Sequence, residues 1–374
     1  MRRHVAVVGA TGIAGQQFLV ALAQHPWFEV VRLAASERSA GKTYAEALRD
    51  PQSGARRWWC PEEPPAALLA LRVEHAESLD LAGVDLVFSA VESDAARALE
   101  PRYAATTPVL STASAFRYED DVPILVPGVN PAHAGLIDRQ RRGRGWRGFI
   151  APLPNCTTMG LVMTLRPLLD RFGVQRVLMT SMQGVSGAGR SPGVLALDVL
   201  DNVIPHVPGE EENVARETGK VLGRLGEDGV VPAPFPVSAT CTRAAVSEGH
   251  TEAVAVSLGV PVSPADVAAA FREFDGGLRG LDLPSAPRRL LTVHDDPFRP
   301  QAAPGPRRRR RDDHERGPDP RRHGTRARRE VRAGLAQHQD GCGQGSGAHR
   351  GVAGGGRHDL RGAGLTRPRV SPIV

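Results

Sequence analysis

The stretch from Val5 to Ala23 constrains the fold of this chain more than any other. Val5-Ala6-Val7-Val8 is an unbroken apolar run of the kind a buried strand uses, and Ile13 to Ala23 carries apolar positions at helical spacing. Between them the chain reads Gly9, Ala10, Thr11, Gly12, Ile13, Ala14, Gly15. A helix that returns over a sheet delivers the next strand parallel to the first. Further apolar runs at Val30 to Ala35 and Val84 to Ser89 supply such strands. The glycines let the backbone approach a pyrophosphate, and the helix N-terminus offers N–H donors to it. The expectation is an α/β protein with a Rossmann-like dinucleotide-binding domain over 1–150. Past residue 150 longer, alternating strands appear at Val174 to Met182 and Ala253 to Leu258, which predicts an α+β catalytic domain with a mixed sheet over 151–300.

The second strand ends in Ser36, Glu37, Arg38 and Ser39, with Lys42 close behind. An acidic residue there selects the ribose 2′-hydroxyl of NAD, whereas small hydroxyls with Arg38 and Lys42 suit a 2′-phosphate. NADP is the expected cofactor, and Glu37 leaves NAD open.

Cys156 follows the apolar run Phe149-Ile150-Ala151 and opens a helical pattern through Met159, Leu161, Val162, Leu165 and Leu168. A thiol at a helix N-terminus meets the positive end of the helix dipole, which favours the nucleophilic thiolate. Downstream, Arg243 and His250 fall on a strand–turn–strand pattern. Arg243 offers a planar fork for a carboxylate, and His250 titrates near neutrality. The four cysteines, Cys60, Cys156, Cys241 and Cys342, have unrelated spacings, so neither a disulfide framework nor a metal site is expected. The N-terminus lacks the apolar core of a signal peptide and no run is long enough to span a membrane, so the expected location is cytoplasmic.

Taken together, these residues resemble aspartate-semialdehyde dehydrogenase, in the branch shared by archaea, fungi and some bacteria. The resemblance rests on Gly9 to Gly15, Ser111-Thr-Ala-Ser-Ala-Phe-Arg117, Asn155-Cys156-Thr-Thr, Gln183-Gly-Val-Ser-Gly-Ala-Gly189, Gly209-Glu-Glu-Glu212 and Arg243-x6-His250, in family order across roughly residues 4–300. It implies NADPH-dependent reductive dephosphorylation of L-4-aspartyl phosphate to L-aspartate 4-semialdehyde through a cysteine thioester. That step lies on the route to lysine, diaminopimelate, threonine, methionine and isoleucine. By the same resemblance Cys156 is the nucleophile, His250 the acid/base and Gln183 the group that orients the intermediate. Arg243 would hold the substrate α-carboxylate, Glu211 its amine, and Arg117 and Asn155 the phosphate. Ser36, Arg38, Ser39, Lys42 and Ser89 would line the cofactor with Ser186, Gly187 and Gly189. The partners implied are an acyl-phosphate or aldehyde substrate, phosphate, and further copies of the chain in a homodimer or homotetramer, with neither nucleic acid nor membrane. Two positions depart from the family pattern: Thr112, where Ser-Asn-Ala is usual, and Asn213, where a lysine is usual.

The tail differs from everything before it. Residues 301–374 hold 17 Arg, no Lys and 7 Asp or Glu, a charge of +10 that leaves −4 for residues 1–300. With no Phe, Trp or Tyr there, the segment cannot bury enough apolar surface to fold, and disorder is expected. The closing strand and Gly-Ala-Ala helix that the family implies are missing. Read one nucleotide late, the codons of Asp312 to Arg321 permit Thr-Thr-Met-Ser-Val-Gly-Arg-Ile-Arg. Those of Ala336 to Gly354 permit Leu-Ser-Thr-Lys-Met-Gly-Ala-Ala-Lys-Gly-Ala-Val-Leu-Ile-Ala-Glu-Leu-Leu. The expectation is a frameshift between about Arg299 and Arg311, which resequencing of the coding DNA tests. It would remove a covering helix and bare a strand edge of the catalytic sheet.

The rival readings are an N-acetyl-glutamyl-phosphate reductase, an inactive frameshifted product, and a non-enzymatic protein whose Arg-rich tail binds nucleic acid. The pairing of Glu211 with Arg243-x6-His250 favours the aspartyl substrate. Glyceraldehyde-phosphate dehydrogenase shares Cys-Thr-Thr but lacks the Arg-x6-His spacing.

Overall fold

The computed structural model describes residues 2–60, 62–188, 196–301, 332–334 and 371–373. β1 (Arg3–Val8), β2 (Phe28–Ala35), β3 (Val73–His75), β4 (Leu86–Ser89), β5 (Val109–Ser111) and β6 (Ile150–Pro152) form one sheet, ordered β3-β2-β1-β4-β5-β6. Every pairing in it is parallel. The apolar run of β1 serves two faces, because alternate residues of a strand point to opposite sides. Val5 and Val7 join Leu19, Leu22 and Leu33 beneath α1 (Ile13–Leu22). Ala6 and Val8 join Leu99, Tyr103 and Ile150 beneath α4 (Ser93–Ala104). The short α2 (Tyr44–Ala47) and α3 (Ala66–Leu69) fill the β2–β3 crossover, and α5 (Leu136–Arg144) precedes β6. Strand order reverses at β1, so the crevice beyond its carboxyl end is the place where such a sheet takes a ligand.

The second sheet is mixed, as its alternation predicts. After α6 (Cys156–Phe172) come β7 (Val174–Gln183), α7 (Ala196–Val199), β8 (Val203–Ile204), α8 (Glu210–Val221) and a small antiparallel pair, β9 (Arg224–Leu225) with β10 (Val230–Val231). Then follow β11 (Val237–Ala244), β12 (His250–Leu258), α9 (Pro264–Glu273) and β13 (Thr292–His294), which pairs with β14 (Arg332–Gly334). With β15 (Ser371–Ile373) the order is β15-β12-β7-β11-β8. One face of β7 buries Val177 and Met179 against Leu161 and Leu165 of α6 and Val214 and Val221 of α8. The other face leaves Leu178 and Met182 48% and 37% exposed.

The tail expected to be disordered and out of frame lies outside the described residues, apart from Gln301, β14 and β15. β15 pairs with Val254 to Val256 of β12. The strand edge expected to be bare is therefore covered over those three residues.

Candidate active site

The site forms where β7, β11 and β12 end side by side. Gln183, the last residue of β7, is in register with Arg243 of β11 on one side and with His250, the first residue of β12, on the other. The strand–turn–strand pattern is thus not a hairpin: residues 245–249 pass over the end of β7 and set the two strands on either side of it. Val185 N–H donates to Val246 O at 2.8 Å and Gly184 N–H to Gly249 O at 3.1 Å. A Cβ at Gly184 would sit 2.7 Å from Gly249 O, so only glycine allows this crossing.

Cys156 faces this row as the first residue of α6. Asn155 caps the helix, its side chain accepting from Thr157 N–H at 2.8 Å. Cys156 Sγ lies 3.0 Å from His250 Nε2. Gly184 N–H points at His250 Nδ1 from 3.2 Å. A backbone N–H can only donate, so this contact, shared with Gly249 O, favours the tautomer with the ring hydrogen on Nε2, directed at the sulfur. A thiol that is half-buried at a helix N-terminus and held by an imidazole N–H is arranged for nucleophilic attack.

Gln183 Nε2 donates to Thr157 Oγ1 at 2.9 Å and to Glu210 Oε1 at 2.8 Å. Glu210 also receives Asn155 Nδ2 at 2.7 Å and Thr157 Oγ1 at 3.0 Å. The sequence motif points to Glu211, and the structure adds Glu210 as this buried hub. Glu211 instead accepts the Cys241 backbone N–H at 3.0 Å. The helix period carries the signal: Glu210, Val214, Glu217, Thr218 and Val221 form the buried stripe of α8, with Glu210 inside it and the half-buried Glu211 at its edge.

Arg243 is buried and donates through Nη1 to Gly184 O at 2.9 Å. The turn holding Ser186 and Gly187 packs on it, since a Cβ at Gly187 would lie 3.3 Å from His250 Cε1 and 3.7 Å from Arg243 Nη1. Gly189 lies outside the described residues.

Arg117 is turned into the protein. Its Nε donates to Leu153 O at 2.8 Å, Nη2 to Thr112 O at 2.9 Å, and Nη1 to the buried Glu217 Oε1 at 2.9 Å. Glu217 Oε2 takes the Asn155 N–H at 2.6 Å. Burial pushes the Glu217 carboxyl up, against the pull of Arg117 and the Asn155 N–H. Asn213 accepts from Tyr118 Oη, and Lys220 Nζ donates to the carbonyls of Arg117 and Glu119 at 2.8 and 2.6 Å. Burial brings the Lys220 ammonium down to about 8.

The glycine turn fits a dinucleotide. Tyr44 Oη donates to Ala10 O at 2.8 Å and Gln16 Nε2 to Thr11 O at 3.2 Å, so these carbonyls are satisfied from below. Gly9 has φ +78°, and a Cβ on it would lie 2.3 Å from Ala90 O. A Cβ on Gly15 would lie 2.2 Å from Gly9 O. These two glycines close the turn on β4 and on itself. A Cβ on Gly12, by contrast, meets only Gly9 O at 3.4 Å, and no side chain caps α1, so the N–H groups at Ile13 and Ala14 face an open surface. Ser89 is buried at the end of β4. Ser36 and Arg38 are exposed at the end of β2, Ser39 is buried, and Lys42 Nζ turns back to Arg38 O at 2.8 Å.

Comparison with known proteins finds relatives over most of the chain. Residues 4–137 match the family "Semialdehyde dehydrogenase, NAD binding domain", and residues 165–313 match "Semialdehyde dehydrogenase, dimerisation domain". The aspartate-semialdehyde dehydrogenase of Methanothermobacter thermautotrophicus is 44% identical over 298 residues, which is 80% of this chain and 83% of the relative. That of Archaeoglobus fulgidus is 44% identical over 307 residues, covering 80% and 84%. Among solved structures, Candida albicans aspartate-semialdehyde dehydrogenase with NADP superposes with a TM-score of 0.72 at 35% identity, over 80% of this chain and 84% of the other.

Proposed function

Because this chain belongs to the aspartate-semialdehyde dehydrogenase family, we propose that it reduces L-4-aspartyl phosphate to L-aspartate 4-semialdehyde with NADPH, through a thioester on Cys156. The observation that carries the residue assignment is the 3.0 Å approach of Cys156 Sγ to His250 Nε2 at the start of α6. The thiolate attacks the acyl carbon, the C–O bond to phosphate breaks, and inorganic phosphate leaves. NADPH, when bound, supplies the hydride that reduces the thioester carbon. His250, with its hydrogen on Nε2, donates a hydrogen bond to the oxygen on which negative charge develops and then to the sulfur as the thiolate is released, and serves as acid/base when the thiol gains or loses its proton. Gln183, fixed by Glu210 and Thr157, orients the acyl group, and Arg243 holds the α-carboxylate with the N–H groups not given to Gly184. In this assignment Glu210 takes part in building the site beside Asn155. The first-turn N–H groups of α1 and the residues closing β2 and β4 would hold NADP.

Among the described residues no helix is long and apolar enough to cross a membrane, and no cluster suits a metal. We place the protein in the cytoplasm as a homodimer or homotetramer. The match to a dimerisation domain supports assembly, and the exposed Leu178 and Met182 on the outer face of β7 supply apolar surface for it.

The reaction is tested in the oxidative direction, as phosphate-dependent reduction of NADP. L-aspartate 4-semialdehyde is expected to outperform N-acetyl-glutamate semialdehyde by about 10²-fold or more, the discrimination of a site built around a specific polar group. Equal rates, or a preference for the acetylated substrate, would overturn the assignment. Arg243→Lys replaces a planar fork by a point charge. It is expected to raise KM for the semialdehyde by roughly 10–100-fold with a smaller effect on kcat.

A further inference from the structure

A departing phosphate is an anion that needs a cationic donor, and the residues expected to supply one are engaged elsewhere. Arg117 spends Nε and Nη2 on backbone carbonyls and Nη1 on Glu217 Oε1. Lys220 Nζ is spent on two carbonyls, and Asn213 stands where the family pattern has a lysine. Two carboxyls, Glu210 and Glu217, meanwhile touch Asn155 beside the thiol. The flank of α8 that carries Asn213 offers one further cation. Asn213, Arg216 and Lys220 are spaced by three and four residues, so they form one stripe. That stripe lies along the segment from Arg117 to Glu119. Asn213 and Lys220 are hydrogen-bonded to the segment, and Arg216 Cζ sits 3.8 Å from the centre of the Tyr118 ring. Tyr118 Oη donates to Asn213 and reaches Glu217 Oε1 at 3.5 Å. The other oxygen of Glu217 holds the Asn155 N–H, so contacts join Arg216 to the cap of the helix bearing Cys156.

We propose that Arg216 supplies the phosphate-binding cation in this chain, in place of the lysine that Asn213 replaces, with the Tyr118 ring as its platform. The proposal rests on the reading of Cys156 as the acyl acceptor, which puts the leaving phosphate beside the start of α6. Side chains on a helix lean toward its N-terminus, and that end of α8 carries Glu210 against Asn155 and Thr157. Arg216 therefore leans over Asn213 toward the end of α8 that meets the thiol's helix. A guanidinium stacked on an aromatic face keeps the N–H groups at its edge free for an anion. The stack also orders a long side chain before the ligand arrives, which lessens the entropy lost on binding. The nearby acids do not compete for it, because Arg144 takes both Glu119 and Asp121. Arg216 is exposed, so its pull on an anion is screened by salt.

The test is protection of Cys156 from iodoacetamide by inorganic phosphate, in the full chain near neutral pH, at low and at high ionic strength. Cys156→Ala subtracts the other thiols. Arg216→Met keeps an apolar cover on Tyr118 and removes the charge. It should raise the phosphate concentration for half-protection roughly tenfold, the loss of about one charge-assisted hydrogen bond, and flatten its dependence on salt. Adding Asn213→Lys to Arg216→Met returns a cation one helical turn nearer the start of α8 and should recover most of the loss. Half-protection of Arg216→Met at the wild-type concentration would overturn the proposal. So would a loss that Asn213→Lys leaves in place, since Arg216 would then be only a brace for Tyr118. Absence of protection in the wild-type chain would remove the phosphate subsite and the proposal with it. Alkylation needs no semialdehyde, so these outcomes are separate from the fate of the aspartyl assignment, which the comparison of the two semialdehydes judges.

Discussion

Cys156→Ala is expected to lower phosphate-dependent oxidation of L-aspartate 4-semialdehyde by about 10⁴-fold or more while NADP still binds, as a fluorescence titration with NADPH would show. The size follows from what the sulfur does. Without it no covalent acyl intermediate forms, and the remaining groups can only bind and polarise the substrate. Structurally the change is mild, since alanine is well tolerated at the first position of a helix and Asn155 still caps α6. The retained NADP affinity separates loss of chemistry from loss of fold, because the glycine turn lies in the other sheet and shares no residue with the Cys156–His250 contact. Normal turnover by a well-folded Cys156→Ala protein would remove the thioester route altogether. Cys156→Ser is a sharper version: a hydroxyl accepts the same Nε2 hydrogen bond, yet its ionisation is too costly near neutrality for it to replace the thiolate.

How far the site was legible depends on whether local pattern or distant pairing decides each part. The strand, glycine turn and helix from Arg3 to Leu22 are local, and so is the alternation of β7, so both could be read from spacing. Cys156 could be read too, since an apolar run followed by a polar residue and a helical pattern marks a strand-to-helix junction. The neighbours of β11 and β12 could not. Nothing in the five residues between them says that β7 lies in the middle, because strand order is settled by the packing of α6 and α8 on the sheet. Glu210 and Glu211 show a finer limit. Motif matching selects a run of three glutamates, and only the helix phase, set by Val214 and Val221, decides which carboxylate turns inward. The direction of Arg117 was likewise hidden, since its partner Glu217 lies 100 residues away.

That arginine carries the second large prediction. Arg117→Ala is expected to destabilise the fold by about 3–5 kcal/mol in chemical denaturation, the usual cost of leaving one member of a buried ion pair without its partner. Glu217 is fully buried, and its Oε1 loses the guanidinium that now donates to it at 2.9 Å. Two carbonyls, Leu153 O and Thr112 O, lose donors in the same change. The damage reaches the site through Asn155, whose N–H is held by Glu217 Oε2 and whose side chains caps the helix bearing Cys156. A protonated or shifted Glu217 loosens that cap, so activity should fall together with stability. If Arg117 acted only by touching the phosphate of the substrate, Arg117→Ala would raise KM for phosphate and leave the denaturation midpoint in place. The double variant Arg117→Met/Glu217→Met discriminates further: removing both charges is expected to recover much of the lost stability, as apolar replacement of buried ion pairs often does. Activity should not return with it, because Asn155 N–H then has no carboxylate to hold it against the start of α6.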